Sequence, residues 1–288
     1  MPIIGQLVRE SERSESRDLP GVRSLLLYPM NALVNDQLSR VRKIFGNEAA
    51  NKAIRGDKNV PVRFGTYTSR TPYPGKRTAS KDRKHIEPLF ESFYLRYIDN
   101  EDARATFDSL GKWPSKNLRE FYGAEKAEHK TYKSGKKRGQ NCLSRNFNQR
   151  LITQPTDREL LTRHEIHESP PDILITNYSM LEYMMLRPIE ASIFQHTKTW
   201  LDANPENQFS LVIDEAHMYR GTGGAEVAYL IRRLCSRLQI PRDRMRVILT
   251  SASLGPEESS QETGEKFAKD LTGHNGRDFS VVLGATET

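Results

Sequence analysis

The chain has 288 residues, 36% of them hydrophobic, which is enough for one large core or two modest ones and excludes a fibre or a disulfide-stapled miniprotein. Lysine and arginine number 44 against 37 aspartate and glutamate, and the formal net charge of +7 favours an anionic partner without naming one. Cys142 and Cys235 lie far apart with no Cys/His cluster, so a disulfide framework or zinc site is not expected and a reducing, cytoplasmic compartment is. No apolar run approaches the roughly 20 residues that cross a bilayer, and the N-terminal stretch becomes charged too soon for a secretory signal.

In chain order, Pro2 to Val8 reads as a helix remnant, and Arg9 to Pro20 as a charged, Ser-rich loop. Ser24-Leu25-Leu26-Leu27-Tyr28 suits a strand buried on both faces, stopped by Pro29. Leu33, Val34, Leu38, Val41, Ile44 and Phe45 then recur at helical spacing up to Gly46. A second strand is predicted from Val60 to Tyr67, followed by a Pro-rich loop. Residues 76–168 are predicted to be a basic insertion, largely helical or irregular, with helical pieces at Pro88 to Tyr97 and Leu118 to His129 and a basic run from Lys130 to Arg138.

Regular alternation resumes with a strand at Asp172 to Thr176. Ser179 and Glu182 have capping-box spacing at the start of the helix that follows. Further strands are predicted at Phe209 to Asp214, Arg246 to Thr250 and Phe279 to Leu283, with Val227, Leu230, Ile231, Leu234 and Leu238 as the buried face of an intervening helix. Strands alternating with helices predict an α/β fold with a mostly parallel sheet covered on both faces.

In such a sheet, ligands bind beyond the carboxyl ends of the strands, where Asn31, Thr176, Asp214, Glu215, Thr250 and Ser251 would all fall. Two adjacent acids there can divide two tasks. Asp214 can hold magnesium through a bound water, and Glu215 can orient and partly deprotonate the water that attacks a γ-phosphate. An isolated Asp-Glu pair reads more readily as exposed acids opening a loop, but the apolar strand ahead of this one reverses that preference. Pro29, Asn31 and Ala32, and likewise Thr176 and Asn177, lie where a strand passes into a helix; such turns offer backbone N–H groups to phosphate, or simply cap core helices.

Asp214-Glu215-Ala216-His217, with Ser251-Ala252-Ser253 after it and Tyr28-Pro29-Met30-Asn31-Ala32-Leu33 before it, resembles superfamily-2 DEAD/DEAH-box helicases. Asp214-Glu215-Ala216-His217-Met218-Tyr219-Arg220-Gly221 is similar in particular to bacterial members acting in DNA repair and phage defence. The resemblance implies a RecA-like P-loop NTPase lobe using ATP and Mg2+, with Asp214, Glu215 and His217 catalytic, Asp214 holding the metal through water, and Ser251, Ala252 and Ser253 coupling hydrolysis to nucleic-acid grip. It also implies a hydrogen bond from His217 to Ser251 or Ser253.

The Tyr28–Leu33 and Thr176–Leu181 segments correspond to the motifs that hold the nucleic-acid backbone, DNA being favoured. No G-x-x-x-x-G-K-[ST] sequence occurs in the 288 residues, so the expected lobe is incomplete at its N-terminus. The missing helicase segments or a second RecA-like lobe would be partners, and the isolated chain is expected to lack ATPase activity. The lobe would run through residues 1–75 and 169–288, with the insertion between them. The alternatives are a non-hydrolysing nucleic-acid-binding accessory module and a decayed helicase remnant.

Overall fold

The structure is a computed structural model that describes residues 2–56, 60–73, 75–123, 128–131, 133–136, 138–139, 141–144, 148, 150–219, 221–251, 260–273 and 279–282. Its strands are β1 (Ser24–Tyr28), β2 (Phe64–Tyr67), β3 (Glu128–Thr131), β4 (Asn141–Ser144), β5 (Glu159–Leu160), β6 (Ile173–Asn177), β7 (Phe209–Ile213) and β8 (Met245–Leu249). Six of them form one sheet in the order β5-β2-β6-β1-β7-β8, and every pairing is parallel. The α/β class and parallel sheet are therefore as the alternating pattern predicts.

The continuous apolar run of β1 is explained by its place between β6 and β7, where all five of its residues are buried. One face of the sheet packs on a core containing Leu25, Leu174, Trp200, Leu211, Leu230 and Leu234, and the other on Leu7, Leu26, Val34, Phe45 and Ile175. The edge strand β8 is less buried, and among the described residues its outer edge has no partner.

The amino end of the sheet is held by charge. The helix Pro2–Ser11 continues past the predicted loop boundary at Arg9 because Glu10 and Ser11 are buried. Arg23 pairs with Glu10 at 2.9 Å and with Asp172 at 3.1 Å, and Asp172 also pairs with Arg55 at 2.7 Å, all inside the fold. The indole of Trp200 donates to Glu10 at 2.7 Å. Burial raises the Glu10 carboxyl above its ordinary pKa, and the Arg23 guanidinium opposes that shift.

Residues 76–168 enclose a smaller aromatic core built on Phe90, Trp113, Phe121 and Tyr122. Glu159 of β5 takes a bidentate bond from Arg42, at 2.6 and 2.8 Å, and Lys116 lies buried between Asp157 and Glu165. The predicted helix from Leu118 to His129 is shorter than expected. It ends at Tyr122, because Gly123 adopts a left-handed conformation (φ 74°) that closes the helix, and Glu128–Thr131 instead pairs antiparallel with β4. Lys133 and Lys136 of the basic run lie exposed in the β3–β4 connection, while Tyr132 falls outside the described residues.

Three other expectations need correction. The helix Tyr178–Leu186 is capped by Asn177, whose side chain accepts from the Met180 N–H at 2.8 Å, and not by Ser179; the chain turns so sharply out of β6 that the last strand residue is itself the cap. The second strand begins at Phe64, not Val60, since the N–H groups of Val62 and Arg63 are taken by the side chains of Asn51 and Asp172 rather than by a strand. Residues 279–282 form no strand, and Val282 is 88% exposed, with no strand beside it among the described residues; Leu283 lies outside the described residues.

Candidate nucleotide and polynucleotide site

The carboxyl ends of β1, β2, β6, β7 and β8 all open on one edge of the sheet, because every pair is parallel and in register. At the β7 end, Ile213 is fully buried and the chain then emerges at Asp214. The backbone N–H of Asp214 bonds to the Leu27 carbonyl at 3.0 Å and that of Ala216 to the Thr250 carbonyl at 2.9 Å, so the acid pair is pinned between β1 and β8. Asp214 also accepts from the Thr250 hydroxyl. Glu215 occupies the left-handed region at φ 52°, ψ 42°, a conformation that costs a non-glycine residue about 1 kcal/mol or more and is held here by the anchored residues on either side.

His217 comes back over this turn. Its Nδ1 is 3.1 Å from Ser251 Oγ and 3.2 Å from a Glu215 carboxylate oxygen, and the Glu215 and His217 side chains are each about one-third exposed. The contact to Ser251 that the resemblance implies is thus present; Ala252 and Ser253 lie outside the described residues. Among the described residues no group of three or more metal-ligating side chains occurs; a hard cation at this edge would be held chiefly by one carboxylate, water and phosphate oxygens. Asp214 is the residue that would hold it.

On the β1 and β6 side, Pro29 is half-buried, Asn31 partly buried and Ala32 exposed at the start of the helix Asn31–Phe45. Asn177 donates to the Asn31 side chain at 2.6 Å, and Asn31 reaches Ser69 Oγ at 3.5 Å, so the turns after β6, β1 and β2 are tied together. Thr176 is wholly buried and its hydroxyl donates to the Tyr67 carbonyl at 2.6 Å. Its side chain, like that of Asn177, braces the edge; the groups turned outward are Ala32 and the backbone N–H groups at the helix start.

Sequence reasoning passed over Tyr219 and Tyr178 as a pair. Their rings lie 6.4 Å apart and join the acid-bearing turn to the helix after β6. Neither residue type nor spacing signals this, since 41 residues separate them and only the parallel pairing brings them together.

Residues 128–261 match the DEAD/DEAH box helicase family. Over its whole length the chain is 57% identical to the Druantia protein DruE of Escherichia coli, and over 44% of its length 31% identical to an uncharacterized ATP-dependent helicase of Methanocaldococcus jannaschii. It spans 16% of the length of each of these curated relatives. Among solved structures it is similar to the DUF1998 helicase MrfA at 18% identity and a TM-score of 0.40, over 91% of this chain and 23% of that one, a likeness too loose to add to the geometry. The family match, the alignment of the whole chain with a 57% identical relative and the Asp-Glu-Ala-His turn at the end of a parallel strand make the chain similar to a RecA-like lobe of the DEAD/DEAH-box helicases.

Proposed function

We propose that this lobe belongs to an ATP-dependent helicase or translocase acting on nucleic acid, with DNA favoured, in DNA repair or phage defence. Asp214 would hold Mg2+, which would supply charge to the phosphate oxygens, and Glu215 would orient the attacking water. His217 and the Ser251–Ser253 turn pass the nucleotide state towards the strand ends that grip the polynucleotide. The observation that carries the reading is the bridging of the Asp214–His217 turn to Thr250 and Ser251 at the same sheet edge as Asn31 and Asn177. Phosphate would be gripped by backbone N–H groups at the starts of the helices Asn31–Phe45 and Tyr178–Leu186, so the grip reads charge and geometry rather than bases.

The 288 residues contain no phosphate-loop lysine, so the triphosphate lacks its main cradle and the purified chain should hydrolyse ATP negligibly. Robust magnesium-dependent turnover by this polypeptide would refute that. The second reading is an accessory module that grips nucleic acid without hydrolysis. An in-frame Gly-Lys-Thr or Gly-Lys-Ser segment in the DNA immediately upstream, whose addition restores turnover that Glu215→Gln abolishes, would decide for the motor. Failure to restore turnover would favour the module.

A further inference from the structure

Tyr219 is 8% exposed, and its hydroxyl is buried without a hydrogen-bond partner among the described residues. The ring alone would be served as well by phenylalanine, because a buried, unsatisfied hydroxyl destabilises the state that contains it. Around it, the Tyr219 carbonyl lies 2.6 Å from where a Cβ on Gly224 would stand, so the next helix is seated directly against this turn. The ring faces Tyr178, the residue after Asn177, and Asn177 in turn bonds Asn31. Tyr219 therefore stands between the acid pair and the clasp that joins the β6, β1 and β2 turns.

We propose that Tyr219 is a positioning residue whose hydroxyl gains a hydrogen bond only when polynucleotide is bound, so that strain in the free acid-bearing turn is relieved by occupation of the β1 and β6 turns. The inference rests on the functional reading above. A ligand shifts such a turn only through a difference in affinity between its two arrangements, and removing the hydroxyl removes that difference.

The test compares the wild-type chain with Tyr219→Phe, using a fluorescein-labelled single-stranded DNA of mixed sequence at low salt, and records thermal melting of both proteins without DNA. Tyr219→Phe should melt at the same or a slightly higher temperature and bind about tenfold more weakly. A lower melting temperature would make the hydroxyl a structural group, and equal affinity would make it idle; either overturns the inference while leaving the functional reading intact. Absence of DNA binding by the wild-type chain would overturn both.

Discussion

The two ends of the parallel sheet use the same kinds of side chain in opposite ways. At the amino end, Glu10, Arg23, Arg55 and Asp172 are buried and mutually paired, with Trp200 donating to the same Glu10 oxygen as Arg23. At the carboxyl end, Asp214, Glu215 and His217 remain partly exposed, Glu215 is held in a left-handed conformation, and the Tyr219 hydroxyl is buried without a partner among the described residues. Charges enclosed by partners hold the fold together. Charges and polar groups left partly exposed or unsatisfied at the strand ends leave room for a ligand to complete them. The difference teaches that the chain encloses and pairs its charges at one edge and leaves them within reach of solvent at the other, and it can be broken experimentally from either side.

The largest effect is expected at the amino end. Arg23→Ala leaves Glu10 buried without its guanidinium partner and should cost about 3–5 kcal/mol in chemical denaturation. A loss below about 1 kcal/mol would mean that the network is not what anchors this end. Next comes Asn177→Ala, which removes a helix cap and the clasp to Asn31 together. It should cost about 1 kcal/mol of stability and also weaken binding of single-stranded DNA.

A smaller, pH-dependent effect is expected beside β2. There the Tyr67 hydroxyl donates to Glu190 at 2.9 Å and lies 2.8 Å from Nε2 of His167. Burial, reinforced by the positive charges of neighbouring His164, Arg163 and Arg187, pushes His167 down to about 4 from its usual 6.5. A histidine with a depressed folded pKa is protonated first in the unfolded chain, so its stabilising contribution is complete above pH 6.5 and declines as the pH falls towards 4. The melting temperature should fall across that window and fall less steeply in His167→Asn. Identical slopes would assign the acid sensitivity to other groups. Smallest of all, Glu215→Gln should change stability by less than about 0.5 kcal/mol. A large loss would make Glu215 a structural residue and erase the contrast between the two ends.

Much of this architecture was legible in the residues. β1 and β7 are short apolar runs because they are covered on both faces, and Val227, Leu230, Ile231, Leu234 and Leu238 fall at helical spacing because one stripe of their helix meets the sheet. The closeness of His217 to Ser251 was implied by the resemblance to a known family.

The amino-end network was not legible. Glu10 and Ser16 belong to a stretch whose composition is that of a solvated loop, and only the fold brings Arg23, Asp172 and Trp200 to cover them. The same limit applies to Asn177. A cap chosen from spacing alone falls on Ser179, whereas the abrupt exit from β6 gives the task to the strand's last residue. In residues 76–168, an aromatic core with cations laid over its rings, such as Lys116 over Phe121 at 4.1 Å, has no simple periodicity to betray it.

The most direct test of the central claim, that the carboxyl edge grips a polynucleotide backbone through helix starts, is the single-stranded DNA affinity of Ala32→Glu. Ala32 is exposed in the first turn of the helix Asn31–Phe45, where a carboxylate suits the helix dipole and leaves the fold unharmed. That carboxylate would occupy the place reserved for phosphate. The account predicts unchanged or slightly raised thermal stability with affinity lowered by about tenfold or more. Unchanged affinity in a stably folded variant would contradict it.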